Sequence, residues 1–451
     1  MPELQPWTAP LAPVPMNATV SIPGSKSETN RALVLAALAD GPSVIIGGLD
    51  ARDTQLMRDG LRALGVMITE DGDRWRVTPP AEFTPAGAID CGLAGTVMRF
   101  LPPIAALAGG ATTFDGDEGA RVRPMAGLLD GLVAAGATID PPADLESGAD
   151  RESGADRGSG GLPFTITGRP DLPGGSVVID SSATSQYVSG LLLAGARFAG
   201  GLDLRHVGPS VPSRPNIDMT IAMLRDRGVR IEEPEPDHWI VSPGAITAGD
   251  FVVEPDLANA APFLAAAAVT GGRISVPRWP ATSNQPGAAI TDVLALFGAE
   301  VNLDGDVLTV QGTDKLEAVD LDLHEASELT MVASVLAALA DRTSHIHGVA
   351  HIRGHETDRL AALETDLNGV GAEVRQTDDG LVIHPKLLRS NTWLTYADHR
   401  MVHAGALLGL VIDDIELDDV GCVSKTMPGF VDLWTTMLAD SVTAEEEAGR
   451  A

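Results

Sequence analysis

The sequence predicts an α/β protein of two domains, each built from three copies of one repeating unit. Three observations carry that prediction. First, a pattern recurs six times: a polar start, an Ala/Leu-rich helix, a small-residue turn and a short strand. The copies begin SKSETNRALVLAALADG, AGTVMRFLPPIAALAGG, SATSQYVSGLLLAGARFAGG, PDLANAAPFLAAAAVTGG, SELTMVASVLAALADRT and ADHRMVHAGALLGLVIDD. Their turns fall at Gly41, Gly110, Gly201, Gly272, Arg342 and Asp414. The interval is about 70 residues, except about 91 between Gly110 and Gly201. Second, amphipathic helices of the same period end in a glycine followed by a strand: LRALGVMI, LVAAGATI, MLRDRGVRI, LALFGAEV and LNGVGAEV. Gly65, Gly136, Gly228, Gly298 and Gly371 are expected to be C-caps in the left-handed conformation. Third, 451 residues in six units exceed one core, so three units per domain is the expected division.

The boundary is expected near 240–255, giving 24–252 as one domain and 1–23 plus 253–440 as the other. The N-terminal segment ATVSIPG is expected to complete the second of these. The long interval holds a Gly/Ser/Asp-rich insert, 141–161, in which ESGADR occurs twice. It reads as a flexible surface loop, and 441–451 as a disordered tail.

Hydrophobic residues make up 44% and charged residues 21%, as in globular proteins, while 4% aromatics leave Ala, Leu and Val to fill the cores. A net charge of −31 argues against nucleic acid or an anionic membrane as partner, since both need a basic face. Lysine occurs only at 26, 315, 386 and 425, so an anion site must concentrate few cations. Cys91 and Cys422 give neither a disulfide framework nor a zinc spacing. The N-terminus lacks a signal peptide's basic and apolar regions, and no apolar run is long enough to span a bilayer. A cytoplasmic monomer is the expectation.

The stretch PGSKSETNRA looks like a phosphate grip, but its spacing excludes a P-loop: the glycine needed six residues before Lys26 is Val20. What remains is a capped helix whose N–H groups and positive dipole end suit an anion. The other helix starts extend this reading. The first helices of the six units begin at Ser25-Lys26-Ser27, Gly95-Thr96, Thr184-Ser185-Gln186, Asp256, Glu328 and Asp398-His399-Arg400. The second helices begin at Asp53-Thr54, Arg123-Pro124, Ser213-Arg214-Pro215, Gln285-Pro286, His355-Glu356 and Lys425-Thr426. Equivalent starts share one end of a quasi-symmetric domain. Ser, Thr and Asp are ordinary N-caps, but Lys26, Arg123, Arg400 and Lys425 are unfavourable there unless something anionic offsets them. Two such ends facing each other would form an anion-binding cleft between domains.

PGSKSETNRA, AGTVMR, SATSQ, HETDRL, YADHRM and SKTMP resemble, in order and spacing, the signatures of the 5-enolpyruvylshikimate-3-phosphate (EPSP) synthases, over about residues 17–440. The resemblance implies two domains of three βαβαββ units in an inside-out barrel-like arrangement, with the active site in the interdomain cleft. It implies transfer of the enolpyruvyl group of phosphoenolpyruvate to the 5-hydroxyl of shikimate 3-phosphate, with release of phosphate, on the way to aromatic amino acids. Lys26, Ser27, Arg31, Thr184, Ser185, Gln186 and Ser213, with Glu328 and His355, would hold shikimate 3-phosphate, making 24–252 the domain that binds it. Lys26, Gly95, Thr96, Arg123, Gln186, Arg359, Arg400 and Lys425 would hold phosphoenolpyruvate. Arginine forks match carboxylate and phosphate geometry. Glu356 would be the acid toward the methylene carbon and Glu328 a base or orienting group at the hydroxyl. Lys26, His355 and His399 complete the catalytic set. No cofactor or metal is implied. Glyphosate would compete with phosphoenolpyruvate, with Gly95 leaving it room.

The chain departs from common family positions. Leu93 stands where many members have Asn, His355 where many have Lys, Glu328 for an Asp, Thr184 for a Ser and Asn216 for an aromatic residue. Two other readings remain open: an enolpyruvyl transferase acting on UDP-N-acetylglucosamine, and a non-catalytic phosphoanion-binding protein of the same fold.

Overall fold

The structure is a computed structural model that describes residues 4–140 and 161–448. The chain divides into two compact units, 24–253 and 4–23 with 254–448 among the described residues. Except for Gly161, the 141–161 insert lies outside the described residues.

Each unit repeats one theme. A parallel strand pair brackets a buried helix, a second helix follows, and an antiparallel hairpin closes the sheet. In 24–253 the helices are α1 (Lys26–Leu38), α2 (Arg52–Ala63), α3 (Gly95–Ala105), the single turn α4 (Glu118–Arg121), α5 (Ala126–Ala134), α6 (Gln186–Gly195) and α7 (Arg214–Asp226). Helices α3 and α6 connect parallel pairs, Ala88–Asp90 with Ala111–Asp115 and Gly175–Ile179 with Leu202–His206. The pair around α1 is completed from the far end of the segment: Phe251–Val252 lies parallel to Ser43–Ile46. The other unit holds α8 (Leu257–Thr270), α9 (Ile290–Leu296), α10 (Thr330–Leu339), α11 (Arg359–Gly369), α12 (His399–Gly409) and α13 (Phe430–Ala448). Its first parallel pair uses Asn17–Thr19 against Arg273–Pro277, so the N-terminal segment does enter this unit. A second N-terminal strand, Trp7–Ala9, pairs with Ile415–Leu417 and replaces the hairpin of the sixth repeat. Among the described residues there are five four-stranded sheets and one three-stranded sheet, and none closes into a barrel.

The first helices are apolar nearly all round, and α1, α3, α6, α8, α10 and α12 are buried over most of their length. Each unit has its own core of Ala, Leu and Val. All five expected C-cap glycines have positive φ, from 78° at Gly228 to 106° at Gly371. They let each chain leave its second helix in the left-handed conformation and turn back into the hairpin.

The expected tail at 441–451 is corrected through Ala448. Helix α13 continues to that residue because Ser441 is buried, where its Oγ accepts from Asn17 N at 2.9 Å and caps the edge of the N-terminal strand.

Candidate active site

In 24–253 the helix starts converge. Ser25 caps α1 by accepting from Glu28 N, which leaves Lys26 as its first residue with Nζ 3.0 Å from Asp53 Oδ2. Arg31, one turn on, is 1% exposed. It donates to Ser27 Oγ (2.7 Å), Thr220 Oγ1 (2.7 Å) and the Asn216 carbonyl (2.9 Å). Burial, against a smaller opposing pull from Glu28, lowers its pKa to about 10. Arg31 therefore lies beneath the Ser27 hydroxyl and fixes it against the start of α7. Thr96, the second residue of α3, accepts from Asn30 Nδ2 at 2.7 Å, which ties the starts of α1 and α3 together. Gly190 lets α6 pack on α3, since a Cβ there would stand 2.3 Å from the Arg99 carbonyl. That contact sets Gln186 beside Gly95. A Cβ on Gly95 would meet Arg123 Nη2 at 3.0 Å and Gln186 Oε1 at 3.1 Å. Gln186 Oε1 is buried with no hydrogen-bond partner. Thr184 Oγ1 accepts from Gln186 N, while Ser185 and Ser213 occupy the N-cap positions of α6 and α7 without a side-chain cap bond, Ser213 with left-handed backbone (φ 52°).

The other unit gathers a denser charge cluster. Arg359, at the start of α11, forks onto Asp398 at 2.7 and 3.1 Å, with both side chains almost fully buried. Its Nη2 also reaches Glu356 Oε2 at 3.3 Å. Lys425 Nζ lies 3.0 Å and His399 Nδ1 3.1 Å from the same oxygen. Burial alone would raise the Glu356 pKa, but Lys425, His399 and Arg359 outweigh it and hold the carboxyl well below the usual range. Burial keeps His399 neutral, far below the ordinary histidine value, so its Nδ1–H donates to Glu356. Arg359 Nη1 donates to His355 Nδ1 (3.1 Å), which places the ring hydrogen of His355 on Nε2. Arg400 donates to the Ala258 carbonyl at 2.8 Å and, among the described residues, forms no ion pair with a carboxylate. Glu328 has one buried oxygen without a partner. Glu356, Asp398 and His399 bring ligand atoms within 4.8 Å of one another. A metal dication there would face Arg359 and Lys425 on the same oxygens, so the cluster's chemistry is that of an anion site.

The sequence profile described as EPSP synthase (3-phosphoshikimate 1-carboxyvinyltransferase) matches residues 11–434. A 3-phosphoshikimate 1-carboxyvinyltransferase of Mycobacterium ulcerans (strain Agy99) is 47% identical over 447 residues, covering 98% of this chain and 100% of that protein. The chain belongs to the EPSP synthase family. Two structures of EPSP synthase from Acinetobacter baumannii share the fold, with TM-scores of 0.78 and 0.77 at 22% and 21% identity. Each covers 96% of this chain and 98% of its own.

Two of the departures expected from the resemblance, Leu93 and Asn216, have local explanations. Leu93 packs its side chain on the core and keeps a site contact through its carbonyl, which accepts from Arg123 at 3.1 Å. Asn216 likewise works through its carbonyl, under Arg31. Among the cations expected to need an external anion, Lys26 is offset within the protein by Asp53 and Lys425 by Glu356. Sequence reasoning missed Arg99, 2% exposed, which donates to the Pro124 carbonyl at 3.0 Å and steadies the Arg123 segment. Its place four residues after Gly95 in AGTVMR, one helical turn on, was the available signal. Burial pushes Cys91 and Cys422 up to about 12, so neither is a reactive thiolate at neutral pH.

Proposed function

We propose that the chain transfers the enolpyruvyl group of phosphoenolpyruvate to the 5-hydroxyl of shikimate 3-phosphate. The observation that carries this reading is the whole-length identity to a 3-phosphoshikimate 1-carboxyvinyltransferase. Lys26, Ser27, Thr184, Ser185, Gln186 and Ser213 take the shikimate phosphate and ring hydroxyls, with Arg31 acting through Ser27. Arg123, Thr96 and the Gly95 backbone, with Arg359, Arg400 and Lys425 of the other unit, take phosphoenolpyruvate.

Atom balance sets what the residues must do. The hydroxyl oxygen bonds to the central carbon of phosphoenolpyruvate and gives up its proton, while the methylene carbon gains one. The methylene proton then leaves, the carbon–oxygen bond to phosphate breaks, and the double bond returns. The central carbon is cationic along the way, so flanking carboxylates stabilise it. Glu356 begins as an ion, held so by Lys425, His399 and Arg359, and is not yet an acid. A bound phosphoenolpyruvate trianion shares those cations, which raises the Glu356 pKa and lets it take up the proton it hands to the methylene. Glu328 offers its unpartnered oxygen to the 5-hydroxyl, and His355 offers Nε2–H to the substrate. Glyphosate occupies the phosphoenolpyruvate side, and the protein works as a cytoplasmic monomer.

Phosphate release from phosphoenolpyruvate with shikimate 3-phosphate, with UDP-N-acetylglucosamine, and alone tests the reading. Release only with shikimate 3-phosphate supports it, and release only with the nucleotide sugar reassigns the acceptor. A protein that binds both substrates calorimetrically without releasing phosphate is the non-catalytic alternative. The high pKa of both cysteines disfavours a reactive-thiol chemistry in either case.

A further inference from the structure

The segment that delivers Asp398, His399 and Arg400 to the site is strained. Tyr396 and Ala397 both take left-handed backbone, at φ 52° and 54°. An L-residue with a side chain pays roughly 1–2 kcal/mol there, and a bulky aromatic one is an outlier. Such backbone persists only where its surroundings over-determine it, and it gathers at functional sites.

Helix α11 holds both ends of this bend. Arg359 and Asp366 are seven residues apart, so they lie on one face, two turns from each other. Arg359 forks onto Asp398 at the far end of the bend. Asp366 accepts from Leu394 N at 3.3 Å at the near end. Between them, Asp418 accepts from Thr395 N and Thr395 Oγ1, both at 2.8 Å, and Asp398 N donates to the Thr395 carbonyl at 2.8 Å. Asp366 is 3% exposed, and its Oδ2 is buried without a hydrogen-bond partner. The titratable groups that face it are Asp418, from the turn after strand Ile415–Leu417, and Tyr396, from the bend itself; neither is a cation.

We propose that Asp366 is a positioning residue for the phosphoenolpyruvate half-site: its carboxyl, set behind the Thr395–Ala397 bend, holds the left-handed turn that aims His399 and Arg400. The proposal rests on the reading of Arg400 and His399 as site residues given above. Two ionised carboxylates, Asp366 and Asp418, behind one bend would repel each other with no cation between them. Asp366 is the more buried of the two and carries the proton. Burial, reinforced by Asp418 and only partly opposed by the hydrogen bonds of Leu394 N and Tyr396, raises its pKa to about 7. The proton removes that repulsion while Oδ1 goes on accepting from Leu394 N. As pH rises through about 7 the proton is lost, the Asp366 and Asp418 carboxylates push apart on either side of the bend, and the aim of Arg400 is lost with it.

The test is the pH dependence, from 5.5 to 9, of kcat and of KM for phosphoenolpyruvate at saturating shikimate 3-phosphate. In the parent protein KM is expected to rise about tenfold from its low-pH limit to pH 8, as a single group near 7 requires, with kcat changing much less. Asp366→Asn, the shape of the protonated acid, is expected to hold the low-pH KM throughout. Asp366→Leu is expected to raise KM at every pH. A climb in Asp366→Asn equal to that of the parent overturns the proposal. A second readout needs no variant: the infrared carbonyl band of a protonated carboxyl should titrate with the same midpoint as KM, and absence of such a band also overturns it. Arg400→Ala separates the two layers. If it leaves the KM for phosphoenolpyruvate unchanged, the half-site reading fails; if it raises KM while Asp366→Asn keeps the parent's climb, the positioning role alone fails.

Discussion

Replacing Gly95 with alanine should separate stability from substrate binding by moving them in opposite directions. Gly95 opens α3 with a backbone that alanine adopts without strain. A Gly→Ala change at such a position stabilises by about 0.4–1 kcal/mol by narrowing the unfolded ensemble. The new Cβ, however, would stand 3.0 and 3.2 Å from the two terminal nitrogens of Arg123 and 3.1 Å from Gln186 Oε1. Carbon contacts prefer about 3.5–4.0 Å, so both tips must retreat by a few tenths of an ångström. A charge-assisted hydrogen bond contributes about 1.5–3 kcal/mol. Losing about half of one at Arg123 corresponds to roughly a tenfold rise in the KM for phosphoenolpyruvate. Glyphosate inhibition should weaken as well, because the methyl fills the space beside the same arginine. The assays are steady-state phosphate release with varied phosphoenolpyruvate, inhibition by glyphosate, and denaturant unfolding. An unchanged KM and inhibition constant, or a variant less stable than the parent, refutes the steric argument.

Three further outcomes follow from the same geometry. Lys26→Ala should raise the KM for shikimate 3-phosphate about 100-fold, since it removes a charge-assisted contact and leaves the Asp53 carboxylate facing the phosphate; Asp53→Asn in the same chain should recover part of the loss, and wild-type turnover in the single variant contradicts the site. Glu356→Gln should lower kcat by about 10²- to 10⁴-fold yet tighten phosphoenolpyruvate binding measured by calorimetry, because Lys425 loses its carboxylate partner and Arg359 keeps only Asp398. Burial, with His324 and Arg359 nearby, lowers the pKa of His351 to about 4. The unfolded chain binds that proton near 6.5, so the protein should lose stability as pH falls from about 6.5 toward 4; His351→Phe should lose less over that window in denaturant titrations.

The repeat was legible because each unit must bury one apolar helix and turn at one glycine. Both demands leave a periodic mark: Ala/Leu runs about 70 residues apart, and Gly65, Gly136, Gly228, Gly298 and Gly371 with positive φ. The cations at helix starts were legible because the physics of the dipole makes them anomalous. Their partners were not. Asp53 and Glu356 are ordinary first-turn carboxylates in sequence, and only the fold brings them to Lys26 and Lys425. Arg31 read as a ligand only because the resemblance to the EPSP synthases implied it; its burial under Ser27 depends on Thr220 and Asn216, far along the chain. The strand Trp7–Ala9 carries no repeat signature, since it substitutes for a hairpin the sixth unit lacks. The helix at 441–448 was hidden by its run of glutamates, and it is set by a buried serine rather than by an apolar stripe.

The two N-terminal strands give the units different schedules of completion. Segment 24–253 contains every strand of its own sheets, including the Phe251–Val252 strand that finishes the first of them, so it is complete once that stretch has left the ribosome. The other unit combines stretches made before and after that segment: Trp7–Ala9 and Asn17–Thr19 must wait for Ile415–Leu417 and Arg273–Ser275. Until then its opening strands are unpaired edges on a growing chain, the kind of surface that invites wrong partners. A permuted gene opened inside segment 24–253, with residue 451 joined to residue 1, would make the late unit contiguous in synthesis and split the early one.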